Sequence, residues 1–251
     1  MSEELLAPYR DLPSARRPGK IIVEGRWAVE ALLQSHFVVE SVILEADLDN
    51  PPSISRDIPT LKLQKEEIDS LVGFEFHHGV LACATRPSPT RLVDWLKDTG
   101  GPETTTFAIC VHLADASNLG AIVRSAAALG LDGVLVPAGA GTDPFSRKSI
   151  RASSGAAFRL PVLECLDLQS DLSALREKAT VIASTLSEDS VSVAEMEIPS
   201  GLRFILLGSE KDGLPSDWLD LATMKVKIPV GNGIDSLNVA AAAAILFFLL
   251  R

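Results

Sequence analysis

The sequence predicts an α/β fold, with a large domain on a mostly parallel sheet preceded by a smaller α/β unit. Three observations lead there. From Thr106 onward the apolar runs "FAICVHL", "GVLVP", "TVIAST" and "RFILLG" alternate with helix-like stretches. Strands that are apolar without a break belong in a sheet covered on both faces. Ahead of them, residues 21–86 hold a second, shorter set of strands and helices. Between the two sets lies "RPSPTRLVDWLKDTGGPETTT", whose Pro, Gly and Thr content suits a linker. The expected organisation is an N-terminal arm over 1–20, a small unit over 21–86, a linker over 87–105 and the large domain over 106–251.

Each element has a local reason. A strand enters at Ile21, a helix runs from about Arg26 to Gln34, and a second strand covers Val39 to Leu44. The Pro- and Ser-rich "DLDNPPSISRD" then breaks the pattern as a loop. "IPTLKL" and "GVLACAT" read as strands with the helix "KEEIDSLV" between them, and the linker carries one short amphipathic helix. In the large domain the helices are "NLGAIVRSAAALG", "LSALREKA" and "PSDWLDLA". The strand "MKVKIPV" leads into the closing segment "GNGIDSLNVAAAAAILFFLL". From Val239 that segment is apolar all round, so the helix needs cover on every side, from its own sheet and a second subunit or from a monomeric core.

Composition excludes several classes. A hydrophobic content of 47% over 251 residues can build a real core. The longest apolar run, Val239 to Leu250, is shorter than the roughly 20 residues of a membrane span, and no signal peptide opens the chain. A soluble cytoplasmic protein with no membrane partner is expected. Cys83, Cys110 and Cys165 lie far apart, which suits neither a disulfide framework nor structural zinc. The four histidines show no ligand spacing, so no metal site is expected. There is no phosphate loop, no nucleophile elbow and no G-x-G-x-x-G fingerprint.

Three polar loops remain, each following an apolar strand. The first opens "ADASNLGAIVRSAAALG", a small-residue helix whose one charge, Arg124, points away from the Ile122, Ala126 and Leu129 stripe. The second is "SEKDGLPSDW", where Gly208 at the strand end permits close backbone approach and Glu210 can partner Arg124. The third is "GNGIDSLN", where Asp235 or Ser236 can cap the last helix, with Ser236 and Asn238 in its first turn. Ligands of α/β sheets bind beyond the carboxyl ends of the strands, so the three loops are expected at one rim.

"NLGAIVRSAAALG", "LLGSEKDGLP" and "IPVGNGIDSLNVAAAAAI" resemble the three ordered motifs of the SpoU (TrmH-like) RNA 2′-O-ribose methyltransferases of the SPOUT superfamily. "RKSIRASSGAAFRLPV" is similar to the stretch between motifs one and two, and "EGRWAVEALL…HHGVLACA" to the small substrate-binding domain that often precedes the catalytic one. Val230 departs from the pattern, standing where the family often has methionine. The resemblance implies a C-terminal trefoil knot, S-adenosylmethionine held there by Gly208, Ile228, Leu237 and Thr185, and a homodimer formed through the last helix. It implies active-site roles for Asn118, Arg124, Glu210, Ser236 and Asn238.

In that reading a ribose 2′-oxygen attacks the sulfonium methyl, and Arg124 is either the base or the group that holds substrate in line. A free guanidinium stays protonated, which favours the positioning role. The net charge of −10 opposes RNA binding, so a local basic patch is required. "FSRKSIRASSGAAFR" offers Arg147, Lys148, Arg151 and Arg159 without an acid, and Arg16, Arg17 and Lys20 add a basic arm. Both tRNA and rRNA remain open as substrates. The rival functions are a catalytically silent RNA-binding paralogue and a nucleotide-dependent oxidoreductase.

Overall fold

The computed structural model describes residues 2–13, 18–99, 105–233 and 235–250. The chain opens with α1 (Ser2–Leu6) and a 3-10 turn (Ala7–Tyr9). There follow β1 (Lys20–Glu24), α2 (Arg26–Leu33), β2 (Val39–Glu45), β3 (Thr60–Leu63), α3 (Lys65–Val72) and β4 (Val80–Thr85). These strands form one sheet in the order β1-β4-β2-β3, with β4 antiparallel to both neighbours and β2 parallel to β3. The helix "KEEIDSLV" sits where its ends dictate. Gln64 and Glu67 form a capping box at its start, and Gly73 closes it at φ 83°.

The second sheet contains β5 (Thr90–Arg91), β6 (Thr105–Cys110), β7 (Gly133–Pro137), β8 (Val162–Leu166), β9 (Ala179–Ser184), β10 (Val191–Ser192), β11 (Leu202–Leu207) and β12 (Met224–Lys227). Their order is β10-β12-β9-β11-β6-β7-β8-β5, and all pairings among the described residues are parallel. Around it lie α4 (Leu92–Thr99), α5 (Ala116–Leu129), α6 (Arg147–Ser153), a 3-10 turn (Ala156–Phe158), α7 (Leu168–Ala174), α8 (Ser216–Leu219) and α9 (Val239–Leu250). The chain moves outward from β6 through β7 to β8, re-enters on the far side at β9, and fills the gap with β11. That reversal opens a crevice beyond the carboxyl ends of the central strands.

Strand periodicity sorts the core into layers. In β6, Ala108 and Cys110 face one core while Phe107 and Ile109 face another; in β11 the split is Ile205 and Leu207 against Phe204 and Leu206. The first of these cores is continuous with Ile21, Val23, Val42, Val80 and Ala82 of the small sheet. A third cluster covers that sheet's opposite face. Arg86, at the exit from β4, reinforces the junction by donating to both oxygens of Asp143 and to Glu164.

Several sequence expectations change. The arm over 1–20 is in part core: Tyr9 is fully buried, its hydroxyl donating to the Ser41 carbonyl at 2.9 Å, and Leu12 is buried beside it. The expected linker gives β5 to the edge of the large sheet, and Arg91 there binds the fully buried Asp171 carboxylate. The helix placed on "LSALREKA" lies earlier, at α7, because "REK" falls in the turn that feeds β9 and Ala179 opens that strand. β8 and α6 were not expected at all. The final helix has one open stripe: Val239, Ala243, Leu246, Phe247 and Leu250 are buried, while Ala241, Ile245 and Phe248 are exposed. Among the described residues no helix is long and apolar enough to cross a membrane.

Candidate active site

The crevice lies over the ends of β9, β11 and β12. Its larger part, a cavity of about 480 Å³, is lined by Thr185, Leu186, Gly208, Glu210, Leu214 and Leu237 among others. A smaller recess shares Thr185, Leu186 and Leu237 with it and adds Ile228 and Val230. Thr185, Gly208, Ile228 and Leu237, the four positions expected to hold a methyl donor, therefore meet in one place. Ala242, in the third motif, also lines it, as does Leu186, which no motif marks.

Gly208 explains the shape. A Cβ there would sit 2.3 Å from the carbonyl carbon of Gly213 and 2.5 Å from the Leu214 nitrogen. The loop can fold back this tightly, with Ser209 and Gly213 exchanging backbone hydrogen bonds, only because residue 208 has no side chain. In the third loop, Asn232 and Gly233 adopt φ 58° and 70°, the unusual path expected of "GNG".

Asn118 ties the three loops together. Its amide nitrogen donates to Glu210 Oε1 in the second loop. Its carbonyl oxygen accepts from Asn238 Nδ2 in the third, at 3.1 Å. Asn238 Oδ1 in turn accepts from the Ala240 nitrogen at 2.9 Å. Asn238 is thus the N-cap of α9, correcting the expectation of Asp235 or Ser236. The helix starts at Val239, and the cap is the residue just before it. Ser236 lies on the crevice wall, outside the helix. On α5 the cap is Asp115, whose carboxylate accepts from the Ser117 nitrogen at 2.8 Å. The Lys148 ammonium beside it, with that backbone bond, holds Asp115 below the usual carboxylate range. Cys110, under the crevice, is fully buried, and burial pushes its thiol up to about 12, so it is no nucleophile.

Arg124 is elsewhere. It is exposed, donates Nη1 to Ser154 Oγ at 3.2 Å, and lines a separate groove of about 520 Å³ with Ser153, Ser154 and Arg159. The expected Arg124–Glu210 pair does not form. Six residues separate Asn118 from Arg124, which is about 9 Å along the helix axis and about 240° around it.

The basic stretch is also re-sorted. Arg147 and Arg151 both donate to the nearly buried Glu24, at 2.7 and 3.1 Å, and Arg147 also covers the Phe74 ring. Lys148 binds Asp115, and Lys20 binds Glu40. Arg147, Lys148 and Lys20 thus each meet a carboxylate within the fold. Arg151 keeps 58% of its side chain exposed. Arg16 and Arg17 lie outside the described residues. Among the described residues no group of three His, Cys, Asp or Glu could hold a metal ion.

Comparison with known proteins identifies the family. Residues 105–248 match the model of the SpoU rRNA Methylase family. An uncharacterized tRNA/rRNA methyltransferase of Mycobacterium tuberculosis is 32% identical over 97% of this chain and 87% of its own length. The Bacillus subtilis 23S rRNA (guanosine(2553)-2'-O)-methyltransferase RlmP is 27% identical over 92% of this chain and 88% of its own. Among solved structures, the AdoMet-bound rRNA methyltransferase of Sinorhizobium meliloti superposes with a TM-score of 0.80, at 24% identity, covering 100% of this chain and 95% of that one. The family match spans more than half of the chain and contains all three loops that Asn118 joins, and on that ground the chain belongs to the SpoU rRNA methylase family.

Proposed function

We propose that this protein is an S-adenosylmethionine-dependent methyltransferase that modifies a ribose 2′-hydroxyl of tRNA or rRNA. The observation that carries the reading is the crevice itself, with three loops held by the Glu210–Asn118–Asn238 chain around the bare backbone of Gly208. The relatives named for tRNA, rRNA and 2′-O methylation support it.

The residues fit the donor. About 480 Å³ lies within the range of small-molecule sites. Leu186, Leu214 and Leu237 offer apolar walls for a purine, and the backbone beside Gly208 is open to a polar edge. When bound, S-adenosylmethionine supplies a sulfonium methyl already activated for transfer to oxygen. What the chain contributes is position. Asn118 and Asn238 lock the loops, and Glu210 closes one side of the crevice. The five guanidinium donors of Arg124 hold the substrate phosphate and 2′-hydroxyl, while water or phosphate takes the proton that the hydroxyl releases.

The same reading has a second copy covering the Ala241, Ile245 and Phe248 stripe. Arg124, which its own crevice leaves outside, then serves the crevice of that copy. It places the C-terminal segment in a trefoil knot, the small sheet in RNA binding, and the protein in the cytoplasm.

Calorimetric titration with S-adenosylmethionine, with NAD as the control, is the first test, and saturable binding of the methyl donor alone is expected. Methyl-labelled tRNA and rRNA should then carry the label on ribose, protecting the adjacent phosphodiester from alkaline cleavage. Label on a base would overturn the 2′-O assignment. RNA binding without transfer would identify a silent paralogue.

A further inference from the structure

At the junction of the two sheets lies a groove of about 350 Å³, lined by Arg26, Trp27, His77, His78, Arg151 and Ser154. Trp27 is 76% exposed, more than any other large hydrophobic side chain among the described residues. It stands on a firm support. Gly155 packs directly on α2, where a Cβ would lie 2.9 Å from Ala31 Cβ and 3.3 Å from the Trp27 carbonyl oxygen. The backbone that carries Trp27 is therefore held beside Ser154, which precedes that glycine.

In the groove's own lining, Arg26 and Arg151 stand against a single carboxylate, Glu24. Arg26 is shared with Glu30, and the one carboxylate on the groove wall, Glu24, receives both Arg147 and Arg151. Glu75 lies farther out, 3.8 Å from His77. Ser154 adopts φ 51°, a conformation that non-glycine residues rarely take. It belongs both to this groove and to the neighbouring one that holds Arg124 and Arg159. Neither of those arginines has a carboxylate partner among the described residues. An exposed aromatic face, then a hydroxyl, then two guanidinia free of carboxylates adjoin one another through Ser154 on an otherwise acidic protein.

We infer that Trp27 is a stacking platform for one unpaired base of the RNA substrate, with the adjoining phosphates held by Arg151, Arg124 and Arg159. The inference rests on the RNA reading above and narrows it: the substrate presents a single-stranded nucleotide near the modified ribose. A duplex hides its base faces, whereas a splayed base stacks on an aromatic ring beside cations whatever its sequence.

Tryptophan fluorescence tests this directly, because Trp218 is buried and Trp95 is partly buried, leaving Trp27 as the exposed reporter. A mixed-sequence single-stranded RNA 12-mer should quench the emission of the full-length protein, and the same sequence annealed to its complement should quench it far less. Trp27→Ala should weaken single-strand binding about tenfold or more, from the loss of one base–aromatic stack. Trp27→Phe should keep most of the affinity while losing the quench. Unchanged thermal unfolding of both variants separates a binding defect from misfolding. RNA affinity within twofold of wild type in Trp27→Ala, or equal quenching by the duplex, overturns the platform. Donor titration and methyl transfer run on the same preparations keep the two readings apart. Protein that methylates RNA but is indifferent to Trp27 loses the platform alone, and protein that binds no RNA loses both.

Discussion

The two recesses that matter here are built in opposite ways. The crevice over β9, β11 and β12 comes from three loops of a single sheet, and hydrogen bonds through Asn118 set its shape. Of the grooves that meet at Ser154, one spans the two sheets and the other lies within the large domain, and close packing sets both, with Gly155 pressed on α2 and Gly120 pressed on α6. At Gly120 a Cβ would lie 2.3 Å from the Ser149 carbonyl oxygen. The difference matches the ligands proposed. A small donor needs backbone placed to a fraction of an ångström, which local polar bonds can provide. A polymer needs cations and an aromatic face spaced along a rigid support, which only the packing of distant elements provides.

The largest expected effect separates the two recesses outright. Gly208→Val puts side-chain atoms into the Gly213–Leu214 backbone, so donor affinity should fall about 100-fold or more, while single-strand RNA binding at the grooves stays near wild type. Calorimetry beside fluorescence reads both. Loss of both together would mean that the crevice and the grooves are one structural unit.

Next in size, Arg124→Ala should lower methyl transfer about 100-fold with donor affinity unchanged. The same variant tests where Arg124 acts. Mixed at equal amounts with Gly208→Val protein and allowed to exchange subunits, it should recover about a quarter of wild-type activity, the share of intact sites in random dimers. No recovery would place Arg124 in the crevice of its own chain.

Asn238 should give a smaller, divisible effect. Asn238→Ala removes both the α9 cap and the bond to Asn118, costing about 1 kcal/mol and lowering Tm by about 2–4 °C. Asn238→Ser keeps a cap and should recover Tm without recovering donor affinity. Equal recovery of both would assign Asn238 to the helix only.

The smallest effect is one of pH. Asp115 has its folded pKa depressed, chiefly by the Lys148 bond, so its contribution is present above the ordinary carboxylate pKa and is lost as pH falls through the lower folded value. The stability difference between wild type and Asp115→Asn should therefore be constant from neutral pH down to about 4 and shrink below that. A difference that changes between pH 6 and 8 would point to another group.

Much of the crevice could be read from the sequence, because each part is local. A glycine after an apolar strand, a polar loop before a helix and an asparagine in a helix's first turn are all contiguous patterns. The order of strands around β11 lets the three loops converge. The partner of Arg124 was misread for a different reason. Sequence spacing places a residue on a helix face, but whether that face meets Glu210 or Ser154 depends on how α5 lies against α6. The carboxylate partners of Arg147 and Lys20 escape the sequence for the same reason, since Glu24 and Glu40 stand far from them in sequence and adjacent in space.

The sequence by itself thus determined the alternation of strand and helix, the three loops, the apolar last helix and the family. Those follow from periodicity, capping and turn chemistry, which act over a few residues. Only the tertiary structure decided that Tyr9 belongs to the core, that Asn118 rather than Arg124 meets Glu210, and that Trp27 stands beside Ser154. Each of these is a contact between segments that burial and close packing bring together, and no short-range pattern encodes which distant face a side chain will meet.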